Sequence, residues 1–122
     1  MAGSNESFPL SSRDYVRGWN KTGNFYFNPE AIKFGNEILN DSQIFSKDII
    51  VIDEIGIFEL EGKIWADSVS RLIKKKVRDM IWIVRDTLVE KVIGKWDLNG
   101  PVIIDIDKVP VEDAVKMILA RF

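Results

Sequence analysis

The sequence predicts an α/β domain: an open, mainly parallel sheet in three layers, helices on both faces, with a short N-terminal aromatic strand or hairpin. Two observations predict it. Apolar runs at 48–53, 79–85 and 100–107 have the near-continuous Val/Ile character of strands covered on both faces. Amphipathic segments at 64–76, 87–95 and 110–122 follow each run in turn. Such alternation implies parallel strands joined by right-handed crossovers.

The elements follow in order. Residues 1–22 are polar with scattered Phe8, Leu10, Tyr15, Val16 and Trp19, and read as an irregular segment with at most one short strand. The domain proper is expected over 23–122. It opens with the aromatic strand "GNFYFN" (23–28), after which "NPEAIKFGNEIL" (28–39) reads as a helix. There Asn28 is a good N-cap and Pro29 suits the first helical position, where its missing N–H costs nothing. "DIIVID" (48–53) is the first buried strand. In the helix at 64–76, Ile64, Ala66, Val69, Leu72 and Ile73 share a face, and Lys74-Lys75-Lys76 with Arg78 reads as its solvated end. "DMIWIVR" (79–85) is the second strand. Asp86-Thr87 can cap the helix that lines Leu88, Val89, Val92 and Ile93 along one side. "GPVIIDID" (100–107) is the third strand, and the last helix is expected to bury Val111, Ala114, Val115, Ile118 and Leu119. The four tryptophans read as core or rim packing.

Composition narrows the chemistry. The 122 residues contain no cysteine and no histidine. Disulfides, thiolate metal sites, Ser-His triads and histidine bases are therefore excluded. Catalysis would have to use carboxylates, Lys, Arg, Ser/Thr or a hard cation held by oxygens. A net charge of −2 with interspersed signs argues against nucleic-acid binding driven by bulk charge. No apolar run approaches the ~18 residues of a membrane span. The opening "MAGSNESFPL" lacks the charged and apolar regions of a signal peptide. A cytoplasmic protein is expected.

In open parallel sheets, ligands bind at the carboxyl ends of strands. Asp53, Glu54, Arg85 and Asp86 fall at two such ends. Magnesium needs only one or two carboxylates besides substrate phosphates, and a second acid can polarise an attacking water. Strand-end acids also serve as helix caps, and Arg85 could equally form a surface salt bridge. Two other patterns are weighed. Asp105-x-Asp107 resembles the strand-end acids of phosphoaspartyl hydrolases but lies too near residue 122 for the rest of such a domain. "IIVIDE" with Lys108 resembles a phosphoacceptor receiver domain, but Val84-Arg85 ends the next strand without the required aspartate.

The longer string "IIVIDEIGIFEL" is more specific. It resembles the Walker-B segment of the THEP-type nucleoside-triphosphatase family, small P-loop proteins of archaea and bacteria. Asp53, Glu54, Ile55, Gly56, Glu59 and Leu60 all match that pattern. "GNFYFNPEAI" and "IWIVRDTLVEKVI" extend the similarity over roughly residues 18–120, most strongly over 48–93. The resemblance implies a magnesium-dependent nucleoside triphosphatase on a P-loop fold. Asp53 would hold Mg2+, Glu54 would orient or deprotonate water, Gly56 would allow a tight turn, and Arg85 could meet phosphate charge. Glu59 would cap or brace the next helix.

The resemblance also exposes a gap. No glycine of this chain opens G-x-x-x-x-G-K-S/T, the loop whose amides and lysine cradle phosphates: Gly62-Lys63 precedes Ile64, and Gly94-Lys95 precedes Trp96. The expectation is an incomplete, truncated or split triphosphatase, inactive alone. The alternative is a non-catalytic interaction module. By the family's strand order, the lost strand would lie between 79–85 and 100–107. Those strands should then close up directly, or their free edges should lead to a homo-oligomer or a partner chain that completes the sheet.

Overall fold

The computed structural model describes residues 7–47, 49–75 and 79–121. The expectations for Asp48, Lys76, Arg78 and Phe122 lie outside these. The chain forms a small antiparallel sheet followed by a parallel strand pair with flanking helices. The first sheet comprises β1 (Ser11–Ser12), β2 (Asn20–Thr22) and β3 (Phe25–Phe27), in the order β1-β3-β2. The aromatic strand is thus the centre of a three-stranded unit. Its two polar partners lie in the stretch expected to hold at most one strand. Gly23 turns the chain between β2 and β3 at φ 60°, a conformation open to glycine without steric cost.

Helix α1 (Pro29–Leu39) starts as expected: the Asn28 side chain accepts from the Glu30 N–H at 3.1 Å and donates to the Pro9 carbonyl at 2.9 Å. The cap thereby ties the helix to the N-terminal strand region. A 3-10 turn over Ser42–Ser46, capped by Asp41 on the Gln43 N–H, leads to β4 (Ile50–Asp53). The one-turn helix α2 (Ile57–Leu60) and helix α3 (Ala66–Lys74) follow. The expected helix from residue 64 starts later, because Ile64 takes a left-handed φ of 57°. β5 (Met80–Ile83) then pairs in parallel with β4, Ile50 opposite Met80 and Asp53 opposite Ile83. A 3-10 turn at Asp86–Leu88 enters α4 (Val89–Lys95), and α5 (Val111–Arg121) ends the described chain.

The core lies on one face of β4. Ile50 and Ile52 point into it with Ile44, Ile55, Val69, Leu72, Val92 and Trp96, and Met80, Trp82 and Val84 pack against them. Ile55, Val69 and Leu72 are the most completely buried of these. Each such side chain contributes roughly 1.5–3 kcal/mol relative to exposure. Of the four tryptophans, Trp96 lies in the core and Trp65 and Trp82 pack against it. Trp82 meets Trp96 edge-on at 5.5 Å between ring centroids, and Trp96 donates its indole N–H to the Ser70 hydroxyl at 3.0 Å. A polar seam joins α1 to α3: Ser68 donates to Asn36 Oδ1, Asn40 donates to Ser68 Oγ, and Arg71 donates to Asn40 Oδ1.

Three expectations are corrected. Residues 100–107 form no strand, and Val102, Ile103 and Ile106 are exposed. An apolar run becomes a strand only where a neighbour takes up its N–H and C=O groups, and among the described residues β5 pairs with β4 alone. The two strands therefore do not close up directly. Helix α5 forms where its periodicity places it, yet none of its residues is buried, and Val111, Val115 and Leu119 are exposed. Without a sheet strand beneath it, its apolar stripe has nothing to cover. Gly56 stands at the N-cap position of α2 with an extended φ of −129°.

Candidate functional site

The acid pair leaves the core strand at its carboxyl end. Alternation along β4 turns Ile50 and Ile52 inward, so Val51 and Asp53 face out. Asp53 is the last residue of the strand, and Glu54 follows it through a cis peptide bond. Both are exposed. The next residue reverses direction: Ile55 is 0% exposed, and its N–H donates to the Ile83 carbonyl at 3.0 Å. The acids are therefore held between a hydrogen-bonded strand and a fully buried anchor.

Arg85 stands two residues beyond the end of β5. Its Nη2 lies 3.9 Å from Glu54 Oε1, with both side chains substantially exposed. The sequence reading allowed Arg85 either a surface ion pair or phosphate; the structure gives it the ion pair, within the site rim. Solvent screening leaves such a pair worth about 0–1 kcal/mol, so little energy opposes its exchange for another anion. Asp86, expected at the same rim and as a helix cap, accepts from the adjacent Thr87 N–H at 2.8 Å, and neither the 3-10 turn nor α4 has a side-chain cap. Asp105 and Lys108 pair with each other at 3.9 Å, which engages one side chain from each of the rejected alternatives.

Among the described residues the Asp53 carboxylate makes no hydrogen bond or ion pair. No group of three acidic residues there could hold a metal unaided. Two adjacent hard oxygen donors, one of them uncommitted, suit a divalent cation that completes its shell with water and substrate oxygens. Beside Asp53 lies an open, mainly apolar groove of about 180 Å³, lined by Gly35, Ile38, Leu39, Val51, Ile52 and Trp65 as well as Asp53 itself.

Glu59 is the residue whose importance the sequence understated. It sits on α2 but is only 5% exposed, and its Oε1 accepts from the Gly56 N–H at 2.8 Å. This is half of a capping box, with glycine at the N-cap position. Burial raises its carboxyl above the usual value, against the lowering effect of backbone hydrogen bonds from Gly56, Trp65 and Glu59 itself; nearby Glu54 adds to the rise. The G-x-x-E spacing was the available signal; its burial was not. The neighbouring Phe58 packs edge-on against Phe27 at 5.1 Å and Phe25 at 6.3 Å, which joins α2 to the N-terminal sheet.

The fold is mixed α/β, with a parallel strand pair that carries an acid pair at its carboxyl end. A family model described as NTPase matches residues 2–109. The chain belongs to this NTPase family, the THEP-type triphosphatases that its Asp53–Leu60 string resembles. No curated protein and no solved structure matches. Among the described residues no helix is long and apolar enough to cross a membrane.

Proposed function

We propose that this chain carries the hydrolytic half of a magnesium-dependent nucleoside triphosphatase site. The observation that supports the reading is the placement of Asp53 and Glu54 side by side at the end of β4, with Arg85 at the neighbouring strand end 3.9 Å from Glu54. On this reading Asp53 would hold Mg2+, through water, by its uncommitted carboxylate. A bound magnesium ion would supply charge neutralisation at the β- and γ-phosphate oxygens. Glu54 orients the attacking water or takes its proton. Arg85 leaves Glu54 and turns to phosphate when the substrate arrives.

On this reading the phosphate-gripping loop would be supplied from elsewhere, as no G-x-x-x-x-G-K-S/T occurs in these 122 residues. The backbone amides and lysine of that loop contribute much of the triphosphate binding. The chain alone is therefore expected to show no magnesium-dependent binding of ATP or GTP by titration calorimetry. Tight binding by the chain alone, lost in Asp53→Ala, would refute the half-site reading. Supplied with the loop, it should hydrolyse nucleoside triphosphates, and Glu54→Gln should lower kcat by roughly 10²–10⁴-fold.

A second reading is favoured by a separate observation. Among the described residues, the unpaired edge of β5, the unpaired apolar segment 100–107 and the exposed stripe of α5 suit a module that assembles with a second copy or a partner chain. Here the acid pair would serve as a brace. Sedimentation across a concentration series tests it, and a monomer at all concentrations and with all cellular fractions would remove it.

A further inference from the structure

We propose that Glu59 is a positioning residue for Glu54: its buried carboxylate fixes the Ile55–Gly56 segment and so sets where the Glu54 carboxylate stands. The proposal rests on the reading of the acid pair given above.

Geometry carries it. The segment between the two glutamates is pinned at both ends. At one end Ile55 is fully buried and bonded to the Ile83 carbonyl. At the other the Gly56 N–H is held by Glu59 Oε1 at 2.8 Å. Both carboxylates lie on the same side of Gly56. A methyl group built on its Cα would be 3.9 Å from Glu54 Oε1 and 3.7 Å from Glu59 Oε1. Glu54 is joined to Gly56 through Ile55 alone, so a shift of the Gly56 peptide would be carried to Glu54 along the backbone. Phe58, adjacent to Glu59, keeps α2 from sliding by its contacts with Phe25 and Phe27.

The chemistry of the position argues against a cap with no further purpose. A helix of four residues gains little from its cap, and an acid buried away from water is a costly way to supply one. An apolar side chain would fill the same space at a gain. A carboxyl group suits this position because it accepts directed N–H bonds, and the upward shift of the Glu59 pKa, caused first by burial, fits a group enclosed by protein.

Manganese(II) chloride, a paramagnetic substitute for magnesium, gives a test on the 122-residue chain itself. Amide relaxation enhancements at Asp53, Glu54 and Gly56 would be measured by NMR, with Gly56 amide exchange recorded in parallel. The ratio of enhancement at Glu54 to that at Asp53 reports geometry and does not depend on how much ion is bound. Glu59→Gln keeps the acceptor oxygen and should preserve both the ratio and the exchange rate. Glu59→Ala should alter the ratio and speed Gly56 exchange about tenfold or more. Glu59→Asp, too short to reach Gly56, should behave as Ala does and serves if the Ala variant does not fold. Val92→Ala, a core truncation away from the acids, should leave the ratio unchanged. Wild-type broadening at 53–56 that persists with the same ratio in Glu59→Ala and Glu59→Asp overturns the positioning role while the metal-site reading stands. Loss in Glu59→Gln equal to that in Glu59→Ala also overturns it. Absence of selective broadening in the wild type removes the metal-site reading and the positioning role with it.

Discussion

Among the described residues Trp82 keeps its indole Nε1 buried without an acceptor, while Trp96 beside it is satisfied by Ser70. An unpaired buried donor carries a desolvation penalty of ~1–3 kcal/mol. Trp82→Phe deletes that penalty but also some apolar contact. Its cost in urea unfolding should stay within about 1 kcal/mol of zero, whereas Trp96→Phe loses a made bond and should cost more. Glu59 gives a second residue-scale prediction, from linkage. Its folded value is raised above the ordinary 4.5, so the folded state holds the proton more tightly than the unfolded state. The stabilisation is complete below the ordinary value and is lost as pH rises through the raised folded value. Glu59→Gln cannot titrate, so its stability relative to wild type should improve as pH climbs through that window. Denaturant titrations at several pH values check the sign; a relative decline would be contrary to the burial of this carboxyl. At this scale the sequence disclosed the acids Asp53 and Glu54 and their neighbour Arg85, because exposed chemistry at a strand end leaves a pattern. It could not disclose that Glu59 is enclosed, because a glutamate in "IFELEG" looks like any solvated acid until the fold buries it and brings the Gly56 and Trp65 backbone to it.

At the scale of elements, α1 shows why propensity alone misleads. Gly35 lies inside this helix, where alanine would ordinarily gain about 1 kcal/mol. Here a Cβ would overlap the Trp65 ring at Cζ3 and Cη2. Overpacking typically costs ~1–3 kcal/mol, so Gly35→Ala should destabilise on balance. Thermal unfolding of the variant decides, and a higher Tm would show that Trp65 can swing aside into the open groove. Helix α5 is the opposite case. Leu119 is 68% exposed and Leu72 is 1% exposed. Leu119→Ser should change monomer stability by less than ~0.5 kcal/mol, while Leu72→Ala should cost ~2–5 kcal/mol. Equal losses in chemical denaturation would mean that α5 is covered in solution. The i, i+4, i+8 spacing of Val111, Val115 and Leu119 announced a helix correctly. It could not announce whether a surface would meet them. Likewise Asn28-Pro29 fixed the start of α1 by local rules, but Ser11–Ser12 and Asn20–Thr22 became strands only by lying beside Phe25–Phe27.

Across the whole molecule, the sheet is where local and long-range information part. The apolar strings predicted three parallel strands, and two pair, β4 with β5. The third string, 100–107, has the composition of a buried strand, but hydrogen-bonding partners are a property of neighbours and not of composition. A strand supplied to the edge of β5 would meet Met80–Ile83, whose core-facing Trp82 is stacked edge-on against Trp96 of the α4 end. Two indoles 5.5 Å apart couple their electronic transitions. The molecule therefore carries its own optical gauge at the place where its sheet stops: an exciton band in the circular-dichroism spectrum, and an emission that depends on how β5 and α4 are packed. Completion of the sheet would register there without a label.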